Sequence, residues 1–125
     1  MTQRDFTVKT EEGKYDIEAY IRFVGEDVLI AIWGGEKPHI GAVAAAAPRP
    51  SLKDPNVTSA TASVICFPGH KEDELAKAAS ELIAAKLNTR VVVTAGIHWD
   101  HLSEDGIRSV VKNSKILLNL IADRL

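Results

Sequence analysis

A lone cysteine, Cys66, has no partner for an internal disulfide, so this chain must be held together by its core. Its place in the apolar run from Ala62 to Phe67 predicts a buried thiol, and neither a helix start nor an adjacent cation is there to activate it for catalysis. An excess of either charge is also missing. With 15 Lys and Arg against 17 Asp and Glu, the net charge of −2 gives no electrostatic drive toward nucleic acid or an acidic membrane. No run approaches the ~18 apolar residues of a membrane span, and Met1-Thr2-Gln3-Arg4-Asp5 has no apolar leader core, so a soluble, cytoplasmic protein is expected. Absent too are a dinucleotide fingerprint, a phosphate loop, a paired-cysteine metal knuckle, a helical His pair and the Gly-x-Ser-x-Gly elbow of hydrolases. A Ser-His-Asp triad written from Ser51 or Ser63, His70 and Asp100 thus lacks its usual context.

What remains is an ordinary globular composition, 46% hydrophobic and 26% charged, in 125 residues. That is one domain, long enough to bury a core without metal or disulfide staples. Phe6, Val8 and Thr10 alternate with polar neighbours up to a turn at Glu12-Gly13-Lys14. Tyr15, Ile17, Ala19, Ile21 and Phe23 then mark one face of a second strand. Val28 to Trp33 is apolar on both faces and belongs in the sheet interior. Ile40 to Ala47 has the alanine content of a helix, yet it is short, bounded by Gly41, Pro48 and Pro50, and set among strands; a strand is predicted, with side chains small enough for a helix, a second subunit or a planar ligand to approach closely. A proline-bearing loop leads to a strand over 59–67.

From 71 to 87, Leu75, Ala79, Leu82, Ile83 and Leu87 recur at the helical period behind Glu72, Asp73 and Glu74, and Asn88 ends the helix. Residues 90–97, Arg90-Val91-Val92-Val93-Thr94-Ala95-Gly96-Ile97, read as a central parallel strand. A last helix carries Ile107, Val110, Val111, Ser114, Leu117, Leu118 and Ile121, with Ser103 as N-cap and Leu102 stapling onto Ile107. This order predicts an α+β fold: a mainly antiparallel sheet of about six strands with two long helices packed on one face. If the other face is apolar as well, a second layer or a homodimer partner must cover it.

Three connections combine glycine, cations and imidazoles: Gly34-Gly35-Glu36-Lys37-Pro38-His39, Pro68-Gly69-His70-Lys71, and Gly96-Ile97-His98-Trp99-Asp100-His101. A strand-helix-strand unit over 59–97 makes its two strands parallel, so their carboxyl ends share an edge, and antiparallel pairing of 40–47 with 59–67 brings the first loop there too. The expected binding residues are Gly34, Gly35, Lys37, His39, Gly69, His70, Lys71 and His98. The start of the helix at Gly69-His70-Lys71 suits a phosphate or carboxylate, or is simply a solvated helix start. His98, Asp100 and His101, two imidazoles and a carboxylate, suit a metal by type, but in a strand His98 and Asp100 share a face while His101 points away, so Asp100 orients an imidazole or turns the chain and no metal is expected. Trp33 and Trp99 serve as an aromatic wall, a protein contact or core.

Those same segments, together with Ile40-Gly41-Ala42-Val43, Arg49-Pro50-Ser51-Leu52, Thr58-Ser59-Ala60-Thr61 and Glu72-Asp73, resemble the small LpdD-like proteins described as prenylated-flavin chaperones. The resemblance runs over roughly residues 13 to 120. It implies a non-catalytic accessory protein for UbiD-type decarboxylases, which use prenylated flavin mononucleotide (prenylated FMN), with prenylated FMN or FMN as cofactor or the decarboxylase subunit as partner; the helix start at Gly69 to Lys71 and the loop from Gly34 to His39 are the expected place for either. The order of elements is also similar to that of proteasome assembly chaperones, which implies a protein-binding homodimer instead. A metal- or His-dependent enzyme acting on a small anionic substrate is the third reading. Neither nucleic acid nor membrane is expected as a partner.

Overall fold

The computed structural model describes residues 4–69 and 72–125. Its elements are β1 (Asp5–Lys9), β2 (Ile17–Val24), β3 (Asp27–Gly35), β4 (Ala42–Pro50), β5 (Thr58–Cys66), α1 (Asp73–Leu87), β6 (Val91–His98) and α2 (Glu104–Arg124). They form one six-stranded sheet in the order β1-β2-β3-β6-β4-β5. Only β3 and β6 pair in parallel; the other neighbours are antiparallel. The α+β fold read from the sequence is therefore the fold observed. The strand-helix-strand unit is real but split, because β4 lies between its two parallel strands β5 and β6.

Both helices cover one face, α1 over β4, β5 and β6 and α2 over β1 and β2. Alternation puts Ile17, Ala19, Ile21, Ile30, Ile32, Val93 and Ala95 beneath them. The alanine strand shows why its side chains are small. Ala42, Ala44 and Ala46 of β4 are buried under α1, whose own buried face is Ala76, Ala79, Ser80, Ile83 and Ala84, so helix and sheet approach closely through methyl groups. Leu82, placed on the helical stripe by periodicity, is instead 43% exposed, because that face is taken up by alanines.

Several boundaries moved for physical reasons. β4 runs on through Pro48 and Pro50, which pair with Ala60 and Thr58. Pairing with β6 ends at Ala46, so on that side the prolines have no ladder from which to remove a donor. β3 continues through Gly34 and Gly35, which the sequence assigned to a loop. Cys66 is exposed, not buried: β5 is an edge strand, and Cys66 is its last residue, with Val64 and Phe67 on either side exposed as well. The N-terminal half of α2 leaves Ile107 and Val111 half exposed, while Leu117 and Ile121 reach the core. Ser103 caps α2 as expected, accepting from the Gly106 N–H at 3.0 Å, and Leu102 packs against Gly106, where a Cβ would meet it at 2.6 Å.

Candidate functional site

Because β6 separates β3 from β4, residues 36–41 must cross the carboxyl end of β6. The crossing is made by contact of backbone on backbone. A Cβ on Gly96 would lie 1.6 Å from the His39 carbonyl oxygen, and one on Gly35, at φ +92°, would lie 2.1 Å from that of His98. These glycines are needed for chain packing. The Glu36 and Lys37 N–H groups both donate to the His98 carbonyl, at 2.8 and 3.3 Å.

The side chains then converge. The His39 and His98 rings stand 6.5 Å apart between centroids. His39 Nδ1 donates to the Lys37 carbonyl at 2.9 Å, and its Nε2 lies 3.0 Å from Glu72 Oε1. Both ring nitrogens thus face oxygens. Glu72, whose side chain is 11% exposed, also accepts from the Ile97 N–H at 3.1 Å, tying the start of α1 to the end of β6. His98 Nε2 lies 2.9 Å from Asp100 Oδ1, and Lys37 Nζ lies 3.4 Å from the same oxygen. The hydrogen bond from His98, followed by that from Lys37, holds the Asp100 carboxyl below its ordinary pKa.

Of the eight binding residues read from the sequence, Gly34, Gly35, Lys37, His39 and His98 meet at one sheet edge, with Gly69 beside them on the rim of a groove. His70 and Lys71 lie outside the described residues. Gly34 and Gly35 face protein: a Cβ on Gly34 would meet Ile17 at 2.6 Å. Glu72 is the residue that sequence reasoning undervalued. An acidic residue just before a helix reads as a dipole partner, and only the fold shows its carboxylate turned back onto β6 and His39. Asp100 orients His98, the simpler of the readings for that pair. Among the described residues no group of three or more His, Cys, Asp or Glu side chains is arranged to hold a metal ion. Ser51 lies in the β4–β5 connection at the opposite end of the sheet from His39 and His98, and Ser63 lies within β5 opposite Ala45; His70, the imidazole of that triad, is outside the described residues.

The groove extends from this edge between α1 and α2. It encloses about 540 Å³ and is walled by Leu75, Ile97, Trp99, Val111 and Leu118, with His98 at its mouth. Trp99 is held by an edge-to-face contact with Tyr15, centroids 5.3 Å apart, and its other side borders a second recess of about 420 Å³ that includes Trp33 and Glu18. Trp33 Nε1 donates to Glu18 at 3.0 Å.

Residues 11–125 match the family described as the prenylated flavin chaperone LpdD-like domain. The chain belongs to this family. Protein LpdD of Lactiplantibacillus plantarum is 29% identical over 107 residues, spanning 78% of this chain and 68% of that protein. Among solved structures, a chain from a chaperone complex for yeast 20S proteasome assembly superposes with a TM-score of 0.51 at 15% identity, covering 95% of this chain and 94% of that one. At that identity the likeness is one of fold. Among the described residues, no helix of this LpdD-like domain is long and apolar enough to cross a membrane.

Proposed function

We propose that this protein is a non-catalytic accessory chaperone of prenylated-FMN-dependent, UbiD-type decarboxylases, acting as a homodimer and holding the flavin at the edge where its three loops meet. The observation that carries the reading is the apolar groove opening at that edge, in a chain whose family is described by prenylated flavin. A volume of about 540 Å³ falls within the range of small-molecule sites, roughly 300–1,000 Å³. Trp99 and the aliphatic wall suit the ring system and its prenyl addition, with His98 at the mouth as a polar contact. The phosphate is assigned to Gly69-His70-Lys71 on sequence grounds, as the start of a helix at the rim of the groove. Bound there, the flavin is cargo, and its chemistry belongs to the decarboxylase.

Docking of the partner enzyme at the same edge is the second reading. Ile40 and Phe67 stand exposed around it, which suits protein contact. Titration separates the two. Trp33→Phe leaves Trp99 as the sole indole, and FMN or prenylated FMN should quench it with a dissociation constant below about 100 µM, an effect weakened by His98→Ala. No quenching at that concentration, with co-elution of the decarboxylase, sinks the flavin reading and supports the second; neither response sinks both.

A further inference from the structure

The face of the sheet away from the helices is open, and its residues fall into rows across the strands. The middle row is Thr7, Tyr20, Ala31, Thr94, Val43 and Ile65. On one side of it lie Asp5, Arg22, Leu29, Val92, Ala45 and Ser63. On the other lie Lys9, Glu18, Trp33 and Gly96. In the two rows that span the sheet, β3, β6, β4 and β5 contribute no charged side chain; charge is confined to β1 and β2. Leu29, Val92 and Ile65 are nevertheless 40%, 37% and 65% exposed. An uncharged centre with a charged flank is how protein interfaces are built.

We propose that this face binds a second copy of the chain, face to face, about a two-fold axis running across the strands along the Thr7–Tyr20–Ala31–Thr94–Val43–Ile65 row. The charge pattern is self-complementary under that axis and names the occupant. Rotation exchanges the flanking rows, so each Arg22 meets the second copy's Glu18 and each Asp5 meets the second copy's Lys9. All four ions of the flank find an opposite charge. Leu29 meets Trp33, and the loop crossing Gly96 lies over the short side chains of Val92 and Ala45. Packed sheets lie about 10 Å apart, a gap that Arg and Glu bridge together.

Area favours a sheet over a strand. Under that axis β1 and β3 lie over their own copies end to end and β2 and β6 nearly so, while β4 and β5 overlap only at 42–44 and 64–66. At about 4.8 Å per strand and 3.3 Å per residue, the roughly 34 overlapping strand residues present about 540 Å². The loop crossing Gly96 adds to this toward the roughly 800 Å² that a stable interface takes from each partner, whereas a single peptide strand covers a fraction of it. This inference stands apart from flavin binding, since the groove opens between the helices on the opposite face.

Sedimentation of the full chain from about 1 to 100 µM tests it, with particles of twice the 13.6 kDa chain mass expected. Ala45→Arg, at an exposed position, should give a folded monomer. Arg22→Glu or Glu18→Arg alone sets like charges together twice and should weaken the dimer by about tenfold or more. Arg22→Glu with Glu18→Arg restores opposite charges and should recover it. A monomeric wild type, or a dimer indifferent to the single charge reversals, overturns the proposal, as does failure of the double reversal to rescue. Flavin quenching of Trp99 in the Ala45→Arg monomer that also carries Trp33→Phe tells failure of this inference from failure of the flavin reading.

Discussion

Gly96→Ala is the sharpest test of how the candidate site is assembled. The added methyl would fall 1.6 Å from the His39 oxygen, 2.3 Å from its carbonyl carbon and 3.0 Å from the Ile40 nitrogen. All three are backbone atoms, so no side chain can rotate away. The loop over residues 36–41 must lift, stretching the Lys37 and Glu36 donations to His98 and drawing His39 from Glu72. Overpacking of this kind costs about 1–3 kcal/mol, and a backbone obstacle belongs at the upper end. Replacing glycine in a strand returns about 0.5–1 kcal/mol, leaving a net loss of about 2–2.5 kcal/mol. Unfolding entropy of roughly 2.1 cal/mol/K per residue over 125 residues makes each kcal/mol worth about 4 °C. Thermal denaturation followed by circular dichroism should therefore show Tm lowered by about 8–10 °C, with His39 ring resonances displaced in the native spectrum. Gly25, where a Cβ meets nothing within 4 Å but φ is +64°, is the control: Gly25→Ala should cost about 1 kcal/mol, or some 4 °C, through backbone strain. A Gly96→Ala protein no less stable than Gly25→Ala would refute this account of the crossing.

Asp100→Asn should reveal the pH dependence of the loop edge. The Asp100 pKa is depressed in the folded protein, first by His98 and then by Lys37, so its contribution is present above the unfolded value near 3.8 and lost as pH falls through the lower folded one. Wild type should melt higher than Asp100→Asn at pH 6 and converge with it in acid below the carboxylate range; curves separated by the same interval throughout would remove Asp100 from the linkage. Leu82→Ala and Ile83→Ala separate the periodicity of α1 from its true buried face. Fully buried Ile83 should cost about 2–5 kcal/mol when truncated and half-exposed Leu82 under about 1.5 kcal/mol, measured by urea denaturation. Equal losses would contradict the packing described.

Alternation of side chains along a strand is a local property, which is why Ile17, Ala19 and Ile21 could be placed under the helices from sequence. Ser103 and Asn88, whose capping depends on their own side chain and φ, were legible for the same reason. Convergence of the three loops followed from chain order, since parallel and antiparallel strands dictate which ends are neighbours. Leu82 was misplaced because a stripe of period 3.6 shows that a helix has an apolar side, while the depth of each residue depends on how closely the opposing β4 alanines allow α1 to approach. Cys66 was misplaced because its exposure depends on β5 being at the edge, a matter of strand order.

The sequence by itself determined the family, the kind and order of the elements and the edge at which the imidazoles gather, because these follow from short-range pattern and connectivity. Only the tertiary structure decided that Glu72 turns back onto His39 and Ile97, that Gly35 and Gly96 serve backbone contact, and that Asp5 lies opposite Arg22 and Lys9 opposite Glu18 on the open face. Each depends on register between strands distant in the chain, and register is settled by the packing of the whole sheet.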